Sequence, residues 1–316
     1  MKETRLKRRQ RKPRRIWRKL VMAIVLLMIV GVSVYAFSIY SNAKETVNGK
    51  MHKNVDSIDT SVTKGKLKDG KPLNILLLGV DQRPGDGGRS DALMVLSLDP
   101  KHDEMKLISI PRDTRAEIAG KGTVDKINHA YAFGGADMSI ATVENMLDTD
   151  MDYFVEVNMQ GLSELVDTIG GITVDNQIDW YDEGYYKKGY HYEKGNIHLD
   201  GDQALGYVRM RHLDPEGDFG RTKRQRMVIQ AIVDKGASVA TVSKINGLID
   251  VLGDNMNTNM DFDDMKSLLM GYKGARNHVE SYMLQGSGQK IGGVYYYVVP
   301  DEEIQKVHGM IGGTKS

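Results

Sequence analysis

A continuous hydrophobic segment lies near the amino terminus of the chain. No charged residue occurs between Leu20 and Ala43, and residues 20–40 are predominantly apolar. At about 1.5 Å per residue, a helix of this length spans about 31 Å, close to the hydrocarbon thickness of a bilayer. A buried helix is rarely apolar on every face. A cleaved signal peptide usually has a shorter apolar region, although Val34–Ala36 loosely resembles a cleavage site. The pattern therefore predicts an uncleaved transmembrane signal anchor over residues 20–40.

Beyond this segment, a polar stretch over residues 41–72 predicts a stalk, and strand and helix patterns then alternate. The predicted strands cover residues 72–81, 91–99, 104–110, 152–157, 171–174, 279–284 and 294–299, and the predicted helices cover 136–148, 161–169, 201–208, 222–236, 241–253, 261–271 and 300–311. Residues 176–200, rich in Tyr, Gly and Lys, predict an excursion from the domain. The alternation predicts a single α/β domain over residues 73–316, with a central mixed sheet flanked by helices.

The charges are distributed unevenly along the chain, although the formal net charge is only +1. Residues 1–20 hold eleven Lys or Arg and one acid, whereas the remaining residues hold 32 basic and 41 acidic side chains. The positive-inside rule therefore places a basic arm, residues 1–19, in the cytoplasm and the α/β domain outside the cell, as a single-pass type II membrane protein. A basic arm also suits nucleic acid. Its position against the apolar segment favours anionic membrane lipid instead, and no nucleic acid partner is expected.

Composition and missing motifs exclude several classes of protein. The chain of 316 residues is 41% hydrophobic, which excludes wholesale disorder. It contains no cysteine, which excludes a disulfide scaffold, a thiolate zinc site and a cysteine nucleophile. It also lacks the P-loop, HExxH and nucleophile-elbow motifs.

Two carboxylates flank a glycine-rich loop in the segment GVDQRPGDGGRSD, residues 79–91. Asp81 ends one predicted strand and Asp91 begins the next. Because Mg²⁺ binds one or two carboxylates together with phosphate oxygens and water, this pair is a candidate site for Mg²⁺ or Mn²⁺. Arg83 and Arg89 in the same loop would bind phosphate oxygens. The alternative interpretation is an ordinary turn with surface charges.

The arginines of the predicted outer domain are clustered. Residues 44–316 contain ten, and nine lie in or beside the loop just described, the segment SIPRDT (109–114) and the segment 201–226. Arg112 follows an apolar strand, at the edge of the sheet where α/β proteins bind ligands. Since a guanidinium group binds two oxygens at once, this clustering predicts a multiply anionic ligand. The alternatives are that Arg112 pairs locally with Asp113 or caps a neighbouring segment, and that Lys223, Arg224 and Arg226 form a solvated helix face.

Six segments together resemble one known family. They are NILLLGVDQR, GRSDALM, SIPRDT, KINHAYAFGG, FVEVNMQGLSELVDTIGGITV and GDQALGYVRMRH with GDFGRTKRQR, in this order. The sequence resembles the LytR-CpsA-Psr family of bacterial cell-envelope proteins, closest to Bacillus-type teichoic acid transferases, over the basic arm, the apolar segment and about residues 73–235. The carboxy-terminal third is less distinctive.

The resemblance implies a membrane-anchored phosphotransferase. Such proteins move an anionic glycopolymer of the teichoic acid type from an undecaprenyl-pyrophosphate carrier to peptidoglycan. A phosphodiester forms at a muramic acid hydroxyl, and polyprenyl phosphate is released. Because the pyrophosphate is already activated, no ATP site is needed.

The resemblance also implies roles for particular residues. Asp81 and Asp91 would hold Mg²⁺ or Mn²⁺, and Asp81, Arg112, Arg209 and Arg211 would be catalytic. The residues implied to bind the pyrophosphate are Arg83, Arg89, Arg112, Arg209, Arg211, Arg221 and Gln225. The general base stays open, with Asp81, Asp113 and Asp218 as candidates.

Two other functions use the same features of the sequence. The same residues suit a polyprenyl-pyrophosphate phosphatase, which would transfer the phosphoryl group to water. A membrane-bound regulator would use its basic arm to bind DNA, but only 19 residues are predicted on that side, with no helix-turn-helix. The sequence does not identify the glycopolymer or the oligomeric state.

Overall fold

The computed structural model describes residues 14–81, 88–236 and 244–312, and the side chains of residues 14–27 lie outside that description. The helices are α1 (Arg14–Thr46), α2 (Thr60–Lys68), α3 (His129–Leu147), α4 (Met159–Ile169), α5 (Gly201–Arg209), α6 (Asp218–Gly236), α7 (Ile245–Asn255), α8 (Phe262–Gly271) and α9 (Asp301–Met310). The strands are β1 (Leu73–Asp81), β2 (Arg89–Asp99), β3 (Glu104–Ile110), β4 (Arg115–Ile118), β5 (Thr123–Lys126), β6 (Tyr153–Asn158), β7 (Ile172–Asn176), β8 (Trp180–Tyr181), β9 (His191–Tyr192), β10 (Gly195–Leu199), β11 (Met256–Thr258), β12 (His278–Met283), β13 (Ser287–Ile291) and β14 (Val294–Val298).

A six-stranded sheet with the order β11-β6-β1-β2-β3-β12 forms the centre of the molecule. Strands β1, β2 and β3 are antiparallel, whereas β6 runs parallel to β1 and β12 runs parallel to β3. The predicted α/β domain with a central mixed sheet flanked by helices is therefore confirmed. Four two-stranded pairs, β4–β5, β7–β10, β8–β9 and β13–β14, surround the main sheet.

Strand β1 is buried on both faces, as its run of aliphatic residues predicts. On one face Leu76, Leu78 and Val80 join a core that includes residues of α3 and α9. On the other face Leu73 and Ile75 pack with residues of β2, β6 and the region of α8. Each fully buried aliphatic side chain stabilises the fold by about 1.5–3 kcal/mol. The sheet is therefore a rigid base for the loops at its edges.

Helix α3 begins earlier than the predicted start at residue 136 and is kinked. Gly134 and Gly135 have non-helical backbone angles, with φ of +64° at Gly135. This φ lies in the left-handed region that glycine adopts without strain. The predicted helix, residues 136–148, corresponds to the part after the kink.

Helix α1 covers the apolar segment predicted to be the signal anchor. In the fully described part of the chain, no helix combines the length and apolar composition needed to cross a bilayer. Residues 1–13 of the predicted basic arm lie outside the described residues. Part of the predicted stalk packs on the domain, because Ile58 is buried in the core and Thr63 Oγ1 donates to the carbonyl of Asp152 at 3.3 Å.

Candidate active site

The topology brings several predicted site residues to one edge of the sheet. Strands β1, β3 and β6 end at this edge, and the antiparallel strand β2 begins there. Asp81 therefore lies at the same edge as Asp91, and Arg112 follows the end of β3 two residues later. Met159, the first residue after β6, reaches the same place.

A β-bulge sets the position of Asp91. In the pairing of β1 with β2, Gly79 is opposite Ala92 and Val80 is opposite Ser90, so Asp91 is an extra residue without a partner. A bulge bends its strand and turns the side chain of the extra residue away from the regular alternation. The strands are close here, because a Cβ at Gly79 would lie 3.0 Å from the Ala92 Cβ.

Arg112 is held by two carboxylates. Its Nη1 donates to Asp91 Oδ1 at 2.7 Å, and its Nε donates to Asp218 Oδ2 at 3.3 Å. Burial lowers the pKa of Arg112, but the charges of Asp218 and Asp91 outweigh burial and the net pKa is raised. Asp113 pairs instead with Lys126, at 2.8 Å, so the interpretation of a local Arg112–Asp113 pair is wrong.

Helix α6 presents Asp218, Arg221 and Gln225 towards the same place. These residues are spaced three and seven positions apart, which puts them on one face of a helix. Arg221 Nη2 donates to Asp218 Oδ2 at 3.2 Å. Arg221 is only 7% exposed, and its Nε has no hydrogen-bond partner among the described residues. Burial lowers the pKa of Arg221. The charge of Asp218 opposes this effect, whereas the positive charges of Arg112 and Arg211 lower the pKa further.

The end of helix α5 supplies two more arginines. Arg209 is its last residue, and Arg209 Nη2 lies 3.6 Å from Asp81 Oδ1. Arg211 Nη1 lies 3.7 Å from Asp218 Oδ1. Asp218 is therefore within ion-pair distance of three arginines, and it links β3, α5 and α6 through their charged side chains.

The expectation of a solvated helix face is wrong for Arg224 and Arg226. Arg224 is 4% exposed. It donates to the carbonyls of Tyr207 and Met210 and forms an ion pair with Asp214. Arg226 Nη1 donates to Ser109 Oγ at 3.0 Å, and burial lowers its pKa. Both side chains connect α6 to the rest of the domain.

The charged side chains at this edge of the sheet line a cavity of about 380 Å³. The predicted residues that line it are Asp81, Asp91, Arg112, Arg209, Arg211, Arg221 and Gln225. Arg89 does not line it. This arginine is exposed and lies opposite Asp81 in the backbone register of β1 with β2. Arg83 lies outside the described residues.

Sequence reasoning missed five residues of the cavity wall. They are Met159, Gly184, Tyr185, Val208 and His212. Met159 follows the carboxyl end of a strand, and the rule that α/β proteins bind ligands there was a sufficient signal for it. Gly184 and Tyr185 come from the excursion between β8 and β9, whose path over the site no local pattern indicates.

The cavity wall combines four guanidinium groups with two carboxylates, Asp81 and Asp91, and the carboxylate of Asp218 pairs with three of these arginines. The carboxylates hold the guanidinium groups in place, and a bound anion would gain charge-assisted hydrogen bonds from all four. The described residues contain no group of three or more acidic or histidine side chains arranged to bind a metal. The pair Asp81 and Asp91 still fits a hard cation, because Mg²⁺ commonly takes one or two carboxylates and completes its shell with phosphate oxygens and water.

The fold and this cavity are typical of an α/β protein that binds a polyanion at the carboxyl edge of its sheet. The model of the LytR_cpsA_psr family matches residues 33–311. The chain belongs to the LytR_cpsA_psr family, as the order of its sequence motifs predicts.

Three similar proteins illustrate the family. A polyisoprenyl-teichoic acid–peptidoglycan teichoic acid transferase TagU from Bacillus mycoides is 44% identical over 91% of this chain and 93% of its own. The structure of TagT bound to LIIa-WTA matches with a TM-score of 0.70 and 32% identity over 82% of this chain and 98% of that one. A crystal structure from Enterococcus faecalis, named as a transcriptional regulator, matches with a TM-score of 0.69 and 38% identity over 78% and 88%.

Proposed function

We propose that this chain is a membrane-anchored phosphotransferase that moves a teichoic acid-type glycopolymer from a polyprenyl-pyrophosphate carrier to peptidoglycan. The observation that carries the proposal is the convergence of Arg112, Arg209, Arg211 and Arg221 in one cavity. A pyrophosphate diester carries two negative charges close together, which suits several fixed guanidinium groups. The names of the relatives support the choice of polymer and acceptor.

The proposed reaction is one displacement at phosphorus. A hydroxyl oxygen of peptidoglycan forms a bond to the phosphorus atom that carries the glycopolymer. The bond from that phosphorus to the bridging oxygen breaks, and its electron pair leaves with polyprenyl phosphate. The hydroxyl proton passes to a base of the protein. The pyrophosphate itself supplies the driving force, so the protein contributes positioning and charge stabilisation.

The arginines are positioned before substrate arrives. Asp91 and Asp218 fix the two ends of the Arg112 guanidinium group, at 2.7 and 3.3 Å. Fixed donors of this kind stabilise developing negative charge without reorganising during the reaction. Arg221, with its unsatisfied Nε, has hydrogen-bonding capacity left for a phosphate oxygen.

We infer that Asp81 and Asp91 hold a divalent cation, Mg²⁺ or Mn²⁺. When bound, such an ion would neutralise part of the phosphate charge and increase the electrophilic character of the phosphorus. The contacts of Asp81, Asp113 and Asp218 distinguish the three candidates for the general base. Asp113 pairs with Lys126 and does not line the cavity, and Asp218 positions three arginines, so neither carboxylate is the proposed base. Asp81 pairs with Arg209 at 3.6 Å and would hold the cation through one carboxylate oxygen, and we propose that its other oxygen accepts the proton.

The proposed topology keeps the basic arm, residues 1–19, in the cytoplasm and the domain at the cell-wall side of the membrane. The segment 20–40 lies within α1. Its described part carries exposed apolar side chains at Met28, Val30, Val34, Tyr35 and Phe37. Apolar side chains exposed along a helix are stable in lipid. A membrane-anchored domain would meet a lipid-linked donor at the bilayer surface.

The test is a reconstituted assay with lipid-linked polymer and peptidoglycan oligomers. Arg112→Ala is expected to lower the transfer rate by at least about 10²-fold. The matched control is Arg115→Ala, because Arg115 is exposed on β4 and does not line the cavity. Unchanged transfer by Arg112→Ala would contradict the proposal. Release of free polymer without linkage to peptidoglycan would favour a phosphatase.

A further inference from the structure

A hairpin with exposed apolar side chains contacts the chain next to Arg112 and Asp218. It consists of β13 and β14, paired from Ser287–Val298 to Ile291–Val294. The turn is Gly292–Gly293, with φ of +59° and +84°. Positive φ at both positions is typical of the type I′ turn, which favours tight hairpins. Ile291, Val294 and Tyr295 at its tip are each at least 40% exposed.

The base of this hairpin contacts two segments, one next to Arg112 and one next to Asp218, the two residues that form an ion pair at the site. The amide of Tyr297 donates to the carbonyl of Asp113 at 2.8 Å, directly after Arg112. The Tyr297 ring packs edge-on against Phe219, with centroids 5.2 Å apart, directly after Asp218. A displacement of the hairpin would therefore break contacts with both segments.

Tyr295 lies on the same face of β14 as Tyr297, because alternate residues of a strand share a face. Tyr297 is 3% exposed, whereas Tyr295 is 43% exposed. A Cβ at Gly288 would lie 2.7 Å from the Tyr295 hydroxyl oxygen, so the tyrosine side chain lies against the glycine backbone. The Tyr295 hydroxyl donates no hydrogen bond to any residue that the structure describes. The Tyr295 side chain thus packs on Gly288 and remains accessible to solvent.

Two charged groups border the Tyr295 ring. Lys126 Nζ is 5.9 Å from the ring centroid and 2.8 Å from Asp113 Oδ1. Burial raises the pKa of Tyr295, and the charges of Asp113 and Asp218 raise it further, which is consistent with both carboxylates being nearby. An aromatic face with a cation, a carboxylate and a hydroxyl around it can bind a ligand that has an apolar face and a polar rim.

We propose that Tyr295, Lys126 and Asp113 form the acceptor subsite, which binds a saccharide unit of the peptidoglycan chain next to the transfer cavity. This inference rests on the proposed function and specifies where its second substrate binds. A pyranose ring presents C–H groups on its face and hydroxyls at its rim. The face would pack on Tyr295, and the hydroxyls would bond to Lys126 and Asp113.

The position of the hairpin favours a saccharide over a lipid surface. The segment that follows α1 joins the sheet at β11, where the amide of Lys53 donates to the carbonyl of Thr258 at 2.8 Å. The hairpin contacts the segment after β3, where Tyr297 forms a parallel β-bridge with Thr114. Four strand spacings, about 19 Å, separate β11 from β3. In-line displacement requires the acceptor to enter opposite the leaving carrier, and the hairpin is on the side away from the proposed membrane anchor.

The first experiment measures transfer in the full-length protein reconstituted with lipid-linked polymer, at increasing concentrations of a soluble peptidoglycan oligomer. Tyr295→Ala is expected to raise the KM for the oligomer about tenfold and to leave the KM for the donor within twofold. Tyr295→Phe keeps the aromatic face and is expected to stay within threefold of the wild type. The control Tyr296→Ala removes the same side chain from the opposite face of β14.

A second measurement uses no donor and follows binding of the same oligomer by calorimetry, with the wild type and Tyr295→Ala. Weaker binding by Tyr295→Ala than by Tyr296→Ala supports the subsite, even in a preparation that transfers nothing. Equal binding by both variants overturns it. Loss of binding to vesicles of anionic lipid, with oligomer binding intact, also overturns it and identifies the hairpin as a lipid contact. Absence of transfer by the wild type contradicts the proposed function instead.

Discussion

The buried guanidinium group of Arg224 donates to the carbonyl of Met210, the residue between Arg209 and Arg211. The same side chain donates to the carbonyl of Tyr207 at 3.0 Å and pairs with Asp214. Arg224 thus fixes the backbone on both sides of Arg209. An arginine that does not line the cavity therefore determines where two arginines of the cavity point.

Replacing Arg224 by Met is expected to destabilise the protein by about 3–5 kcal/mol, because Asp214 would be left buried and unpaired. Urea denaturation at neutral pH measures this loss. Lys223→Met is the matched control, because Lys223 is the exposed neighbour on the same helix. Equal stability of the two variants would contradict the assigned role.

Replacing Asp218 by Asn is expected to lower transfer by about 10²-fold while the domain stays folded. The reason is that Asp218 holds Arg112, Arg211 and Arg221 by charge, and positioning of charged groups contributes most of the catalysis in phosphoryl transfer. Steady-state transfer rates and circular dichroism spectra check the two parts. Glu216→Gln, an exposed acid in the preceding turn, should transfer at the wild-type rate.

Removing divalent cations with a chelator is expected to stop transfer, and added Mg²⁺ or Mn²⁺ should restore it. Asp91→Asn should raise the Mg²⁺ concentration for half-maximal activity by at least about tenfold, since it removes one of two carboxylate ligands. Asp263→Asn, an exposed aspartate on α8, serves as the control. A variant at Asp91 with an unchanged requirement for Mg²⁺ would exclude this residue as a ligand.

The pair of His102 with Asp99 predicts a pH-dependent contribution to stability at the opposite edge of the sheet. The hydrogen bond and charge of Asp99, 2.6 Å away, raise the pKa of His102. A raised histidine pKa stabilises the fold below the ordinary value near 6.5, and this contribution is lost as pH rises through the folded pKa. His102→Gln should therefore be less stable than the wild type at pH 5.5 and equally stable at pH 9. Urea midpoints at the two pH values test this sign, and an equal difference at both would refute it.

Much of the site follows from the sequence because strand ends are local signals. The alternation of strands predicts that Asp81, Asp91 and Arg112 lie at strand ends. The assignment of Arg221 and Gln225 to the site follows only from the family resemblance, because the predicted helix begins at residue 222 whereas α6 begins at Asp218. The bulge at Asp91 is not a local signal, because it depends on the register of β2 against β1.

The remainder depends on tertiary packing. Arg221 and Arg224 are three residues apart in one arginine-rich segment, and only the fold makes the first a wall of the cavity and the second a buried support. The hairpin formed by β4 and β5 escaped prediction because each strand has four residues and few apolar side chains. The excursion that carries Tyr185 has a distinctive composition, but composition does not determine where a loop lies.

The stoichiometry of products in the reconstituted reaction tests the central claim most directly. The measurement follows polymer joined to peptidoglycan by a phosphodiester and polyprenyl monophosphate released into the lipid phase. The two products are expected in equal amounts with the wild type, and both should form at least about 10²-fold more slowly with Arg112→Ala. Polyprenyl monophosphate formed together with free polymer, and no polymer joined to peptidoglycan, would contradict the claim that this chain is a transferase.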